Sequence, residues 1–408
     1  PQRHANSPLA RIPKFLQSHG PIVRRSYIPT VPHPSIPLPR PIPMHRLVSV
    51  LGIATFIALA WLMSSHKRRV KPRIILGGLS LQMLFALFIL KTTAGEKLFD
   101  GIDTAFQALI SSVDAGTSFV FGETYTDHYF AFKVLPTIIF FSAFMSIFYY
   151  YGVMQFIVGL FAKVMQRTLG TSGAETLSAA ANVFVGQTEA PLVIRPYIQS
   201  MTRSELNAVM VGGFATMAGG VLGALVGMGM SAKHLLSASL MAAPAALMIA
   251  KVLQPEVDEP QTLGSVKIDV RDPSTNVLEA VANGALGGLQ LALNVGAMLI
   301  VFLALIAVVN GLFGWAGAQL GYIGDEGQYV WSLEALLGYL FMPLAWLVGV
   351  EWSDCGAAGQ LMGLKMATNE FIAYGRLADW AAADSSAHNN ERTRTIMMYA
   401  LAGVASFS

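Results

Sequence analysis

The stretch VFVGQTEAPLVIRPYIQ, residues 183–199, decides the fold. Gln187, Thr188 and Glu189 interrupt an apolar run, and Pro191, Arg195 and Pro196 follow at once. Pro191 removes a backbone donor and disfavours helix at Ala190, and Pro196 does the same at Arg195. A carboxylate or guanidinium near mid-membrane costs roughly 2.5–3.5 kcal/mol even on a lenient insertion scale. A re-entrant hairpin resolves the conflict. One arm, about 173–186, rises from the cytoplasm, the chain turns at QTEAP, and a second arm returns Arg195 to the surface as an interfacial anchor. Each arm, about 20 Å long, reaches mid-membrane and no further. Non-helical backbone at that depth is tolerated only where it lines a protein-enclosed or watery cavity.

The rest of the chain has the character this reading needs. Its 408 residues are 54% hydrophobic and only 12% charged, about half the charge of a soluble domain, and the mean hydropathy is +0.53. A net charge of +3 is too small to point to nucleic acid. Cys355 is the single cysteine, which excludes an intrachain disulfide and a cysteine-built metal site. No nucleophile constellation and no metal-ligand histidine spacing is present, so no enzyme and no resident cofactor are expected.

Apolar runs at about 47–64, 74–91, 129–151, 205–230, 234–252 and 285–316 read as membrane spans. Broken runs follow at 332–350 and 356–380. The loop HKRRVKPR (66–73) is short and basic and so cytoplasmic, which puts Met44 outside. Residues 96–125 have the periodicity of an amphipathic surface helix carrying the acids at 100, 103 and 114. Tyr149, Tyr150 and Tyr151 read as an interfacial aromatic belt. Gly219, Gly223 and Gly227, four residues apart, read as a close-packing stripe. Residues 1–43 are proline-rich, basic and free of Asp and Glu. They read as a disordered tail or as upstream sequence translated in error ahead of Met44. The last run, from Thr395 to Ser408, covers only about 21 Å and reads as a helix cut short.

The second half repeats the first. LEALLGYLFMPLAWLVGV (333–350) is expected to break at Pro343, and GLKMATNEFIAY (363–374) sets Asn369 and Glu370 inside an apolar helix. Two interrupted segments, each with a carboxylate, suggest inverted repeats around a midplane site. Glu189 and Glu370 would face one another and hydrogen-bond a polar, uncharged solute bearing hydroxyls or amides. Two acids with no facing cation argue against an anionic substrate.

The runs GTSGAETLSAAANVFVGQTEAPLVIRPYI, GGFATMAGGVL, KMATNEFIAY and YALAG resemble the concentrative nucleoside transporters, over about residues 45–408. The resemblance implies an all-α polytopic protein of the cytoplasmic membrane, with about eight transmembrane helices, two re-entrant hairpins and inverted repeats. It implies a homotrimer in which a transport domain moves as an elevator against a scaffold, importing nucleosides with Na⁺. Residues 44–168 would be scaffold and amphipathic helices, and 169–252 the first hairpin with transport-domain helices. A polar cytoplasmic connector would follow at 253–282, a scaffold and trimerisation helix at 283–320, and the second hairpin with its transport-domain helices at 330–408.

By the same resemblance Gln187, Thr188 and Glu189 meet the base, Val221 packs beside it and Glu370 bonds ribose. Na⁺ would sit between Asn182, the Val185 carbonyl, the Thr216 hydroxyl and the Met217 carbonyl. Where the family reads G-F-A-N-F-S-S, this chain reads GVASFS. Val404 and Ser406 therefore stand at two substrate-binding positions in altered form, and altered preference or weaker ribose recognition is expected. One charge crossing 100 mV yields about 2.3 kcal/mol and a tenfold Na⁺ gradient about 1.4 kcal/mol, together enough for about 500-fold accumulation. Proton coupling through Glu189 and a passive channel for polar solutes are the alternatives.

Overall fold

The computed structural model of the chain describes residues 44–187, 190–217, 219–262, 274–321, 331–382 and 390–403. All regular structure within them is helical. Helix α1 (Met44–Leu62) and α2 (Pro72–Lys91) flank the basic loop, where the Trp61 indole donates to the Lys67 carbonyl at 3.2 Å. Helix α3 (Thr93–Phe121) is the expected amphipathic element. Its Asp103 accepts from the Ser231 hydroxyl and the Lys233 backbone, both at 3.1 Å, which ties α3 to the start of a later helix. One turn of π-helix (Phe130–Val134) leads into α4 (Leu135–Tyr150). Helix α5 (Val153–Leu169) is a separate element that the reading of 129–151 as one span left unassigned.

Next come the interrupted elements. They are α6 (Gly173–Asn182), the four-residue α7 (Ala190–Val193), a 3-10 turn at Arg195–Ser200, α8 (Arg203–Phe214) and α9 (Gly219–Gly227). The second arm of the hairpin is this short because Pro191 and Pro196 each remove a donor. The run 205–230 is therefore two helices, α8 and α9, rather than one span. Helix α10 (Ala232–Leu253) is continuous, and α11 (Val277–Gln319) runs 43 residues, about 64 Å, well beyond the expected 285–316.

Helix α12 (Leu333–Val348) corrects one expectation, since it passes through Pro343 unbroken. An interior proline forfeits the bond to the carbonyl four residues back and its ring crowds that carbonyl, so neighbouring packing has to carry the helix through. The element packs closely on the next helix at Gly338, where a β-carbon would stand 2.7 Å from Gln360. The break falls later, between α13 (Cys355–Ala367) and α14 (Glu370–Ala382), at Thr368 and Asn369, before α15 (Glu391–Gly403).

Four described helical stretches are long and apolar enough to cross a bilayer: Pro72–Lys91, Phe130–Tyr150, Ala232–Leu253 and Val277–Gln319. Leu47–Leu62 and Leu333–Val348 are shorter apolar helices. The chain is a multi-pass, all-helical membrane protein.

Two buried apolar clusters organise it. One joins α9, α13, α14 and α15 with α12 and parts of α3, α4, α10 and α11, around Val221, Leu225, Phe371 and Tyr374. The other joins α2, α5, α6, α7, α8 and α10 around Met165, Leu177, Ile194 and Leu247. A polar clamp pins the starts of α6 and α8. Glu175 caps the Ser172 N–H and Glu205 the Thr202 N–H, both at 2.8 Å. The buried Lys251 ammonium lies 2.7 Å from Glu175, 2.9 Å from Glu256 and 2.8 Å from the Ser204 hydroxyl. Capping boxes set where α6 and α8 begin, and the shared lysine fixes one start against the other.

Candidate functional site

The first break is built by backbone that has run out of helical partners. After Asn182 the N–H groups of Phe184 and Val185 both turn back to the Ala181 carbonyl, at 2.9 and 3.0 Å. Gly186 adopts φ 146°, a region open to a residue without a β-carbon. Ala190 then restarts helix by donating to the Gly186 carbonyl at 2.9 Å. This tip presses on the start of α9, where the Gly219 N–H donates to the Val185 carbonyl at 3.1 Å. A β-carbon on Gly219 would overlap the Phe184 carbonyl oxygen, and one on Gly223 would stand 2.7 Å from the Phe141 ring. Those two glycines serve close packing, whereas Gly227 has only Thr137, at 3.8 Å, nearby.

Asn182 is buried, with 2% exposure. Its amide nitrogen donates to the Gly212 carbonyl at 2.6 Å and to the Thr216 hydroxyl at 2.5 Å, and that hydroxyl donates to Gly212 at 3.0 Å. The Asn182 carbonyl oxygen has no hydrogen-bond donor among the described residues. A buried, unsatisfied amide oxygen costs about 1–3 kcal/mol. Beside it lie the half-buried Thr216 hydroxyl and the buried Met217, both in the gap between α8 and α9. An all-oxygen set of this kind suits a hard cation.

The second break is capped differently. The Asn369 side chain accepts from the Ile372 N–H at 3.2 Å, which makes Glu370 the first residue of α14. There its carboxylate sits at the positive end of the helix dipole. Behind it the buried Lys365 ammonium donates to the Leu401 carbonyl, and the Tyr374 hydroxyl donates to the Met398 carbonyl at 2.8 Å. Two acids with no facing cation were expected; the nearby Lys365 directs its ammonium to the Leu401 carbonyl on α15.

One cavity of about 600 Å³ joins the two breaks, a volume typical of small-molecule sites. Phe184, Val185 and Gln187 line it from the first tip, Val221 from α9, and Asn369, Glu370 and Phe371 from the second. Gln187 is exposed and Glu370 half-buried. Thr188, Glu189, Val404 and Ser406 lie outside the described residues. The opposite wall was not read from the sequence: Ser142, Ser146 and Tyr149 on α4, and Gly284, Gly287 and Asn294 on α11. Tyr149 thus faces the cavity rather than serving only as interfacial belt. A signal was present, since 142, 146 and 149 share one helical face and Gln290 and Asn294 are amides one turn apart in an apolar run. The described lining mixes apolar side chains with amides, hydroxyls and one carboxylate, and can hydrogen-bond an uncharged polar solute between aromatic and aliphatic surfaces.

Interrupted helices whose breaks meet at a solute-sized cavity within a multi-pass helical chain define a membrane solute carrier. The profile described as Na⁺ dependent nucleoside transporter N-terminus matches residues 51–124, its C-terminal counterpart matches 234–408, and one described as nucleoside recognition matches 131–232. The chain belongs to the Na⁺ dependent nucleoside transporter family. It is 44% identical over 371 residues to an uncharacterized transporter of Haemophilus influenzae, covering 90% of this chain and 87% of that one. It is 42% identical to sodium/nucleoside cotransporter 1 of Rattus norvegicus, covering 89% of this chain but 57% of the relative. It thus spans little more than half the length of that mammalian protein. Among solved structures, CNTnw in an inward-facing substrate-bound state superposes with a TM-score of 0.81 at 41% identity, covering 89% of this chain and 87% of that one. A CNTnw variant in an outward-facing state gives 0.82 at 40% identity, with the same coverage.

Proposed function

We propose that this protein imports nucleosides across the cytoplasmic membrane with Na⁺, by an elevator movement within a homotrimer. The observation that carries the reading is the single cavity shared by Gln187, Val221 and Glu370, which arrive from three separate interrupted segments. Gln187, with Thr188 and Glu189, would bond the base, Val221 would pack beside it, and Glu370 would take ribose hydroxyls. Val404 and Ser406 would complete the site in the altered form noted above. Asn182, the Val185 carbonyl, Thr216 and the Met217 carbonyl would hold Na⁺, and the unsatisfied Asn182 oxygen supports that role. Relatives solved in inward-facing, intermediate and outward-facing states support the elevator movement.

The test is uptake of labelled uridine by the full chain in proteoliposomes, with external Na⁺ replaced by choline at fixed pH. Accumulation above the outside concentration with Na⁺, lost in choline, is expected. Uptake undiminished in choline but abolished by collapsing a pH gradient assigns the coupling to protons. Flux that only equilibrates uridine assigns a channel.

A further inference from the structure

Gln290 and Asn294 are the two amides in a stretch of α11, residues 284–309, that is otherwise apolar. An amide inside a span is costly to leave in lipid and marks a function or a partner. A pair of them four residues apart adds little to the helix by itself. Their mutual bond has a direction. The Gln290 Nε2 donates to the Asn294 Oδ1 at 3.1 Å. With its oxygen engaged, Asn294 has its two N–H groups left to offer, and they meet no acceptor among the described residues. Asn294 is also the member of the pair that lines the cavity, together with Leu291, Val295 and Met298 of the same helix. Two turns away on that wall Gly287 keeps the space open, since a β-carbon there would have nothing within 4 Å.

We infer that Asn294 is a specificity-determining donor on the α11 wall, hydrogen-bonding an acceptor atom of the bound base, and that Gln290 positions it. The inference rests on the nucleoside reading above and adds to it the direction of one bond. Across the cavity the Glu370 carboxylate accepts, and so takes solute hydroxyls. On the α4 side the Ser146 hydroxyl gives its hydrogen to the Ala143 carbonyl of its own helix at 2.7 Å. A solute spanning the cavity therefore meets an acceptor at Glu370 and a fixed donor at Asn294. A sugar-linked pyrimidine or purine answers both, with hydroxyls at one end and carbonyl oxygens or ring nitrogens at the other. A site built to donate to such an atom rejects an analogue that lacks it, because the donor is then left unpaired.

The full chain in proteoliposomes tests this, with tritiated uridine uptake competed by unlabelled uridine, 2-thiouridine and 4-thiouridine. Each thio analogue replaces one carbonyl oxygen by sulfur, a weak acceptor. The wild type is expected to bind one of the two about tenfold more weakly than uridine, the factor given by about 1.4 kcal/mol. Asn294→Leu, close to asparagine in size, should raise the KM for uridine about tenfold with the maximal rate held within about twofold. It should also take uridine and both analogues alike. Asn294→Ala should do the same, which separates lost donation from lost space. Gln290→Leu should raise KM by about threefold and keep part of the ranking, because Asn294 then still donates but is free to turn. An unchanged KM in both Asn294 variants overturns the inference, as does a raised KM with the wild-type ranking of analogues intact. So does a wild type that does not distinguish the analogues. Variants that change only in elution on size exclusion show the amides serving a neighbouring copy of the chain, which overturns it too. Failure of the folded wild type to take up uridine counts against the nucleoside reading, and the inference falls with it.

Discussion

The side-chain amide of Asn182 is hydrogen-bonded to the hydroxyl of Thr216, joining the end of one interrupted helix to the gap in another. The same nitrogen holds the Gly212 carbonyl, so the amide is fixed by two acceptors and its oxygen is left without a donor among the described residues, free for the proposed cation. Replacing Asn182 with leucine removes both donors and that oxygen. We expect Asn182→Leu to remain folded at a cost of about 1–3 kcal/mol and to lose the rise in melting temperature that Na⁺ confers on the wild type. A ligand at a hundred times its Kd stabilises by about 2.7 kcal/mol, a shift readily seen. An undiminished Na⁺ shift in the variant would remove Asn182 from the ion site.

Gly219 is the contact on which the first tip rests. Gly219→Ala forces the Phe184 carbonyl away from α9 and breaks the Gly219 to Val185 bond. Uptake should fall by roughly tenfold or more, since about 1.4 kcal/mol of lost positioning suffices for that factor. Gly227→Ala, which would meet only Thr137 at an ordinary contact distance of 3.8 Å, should transport like the wild type. Equal behaviour of the two variants in a uridine uptake assay would show that the tip does not depend on this packing.

Lys251→Met leaves Glu175 buried without its partner. Breaking a buried pair on one side costs about 3–5 kcal/mol, whereas an apolar replacement of both sides is often close to neutral. Thermal unfolding in detergent should therefore show Lys251→Met far below the wild type, and Lys251→Met combined with Glu175→Gln well above the single variant. A double variant no better than the single one would mean that the clamp acts through Ser204 and Glu256 rather than through Glu175.

Gly287 sits on the cavity wall with nothing within 4 Å of where a β-carbon would be, unlike Gly284 and Gly288, which abut α4. A helix-interior glycine gives up about 0.5–1 kcal/mol relative to alanine, and here no packing requirement accounts for it. Gly287→Ala should be stable and nearly wild type. Gly287→Leu should lower uptake of purine nucleosides several-fold more than that of uridine, because it subtracts volume from the cavity. An unchanged ratio of adenosine to uridine uptake would place position 287 away from the solute.

Some of this architecture was legible in the residues alone. Pro191, Pro196 and the buried-charge cost of Glu189 rule out a continuous span, and they do so locally. Asn369 and Glu370 stood out only as polar residues inside an apolar helix; that the helix breaks just before them came with the structure. Hydrophobic run length identified a multi-pass chain, because the bilayer thickness is a fixed yardstick. Pro343 misled, since whether a proline breaks a helix or rides within it depends on what packs against it, and α13 is brought alongside by the fold.

Other relations came only with the tertiary structure. Gly284, Gly287 and Gly288 look alike in the chain, yet α4 occupies the space beside two of them and leaves the third open. Ser142, Ser146 and Asn294 look like minor polar interruptions of apolar helices until α4 and α11 turn them toward the breaks. Lys365 and Leu401 are 36 residues apart, and only the meeting of α13 with α15 gives that lysine a carbonyl to hold. A chain states where its own backbone must stop being helix, because that is a short-range matter of donors, rings and charges. Which side chain then answers the exposed helix end is a long-range matter, decided by how the helices come together.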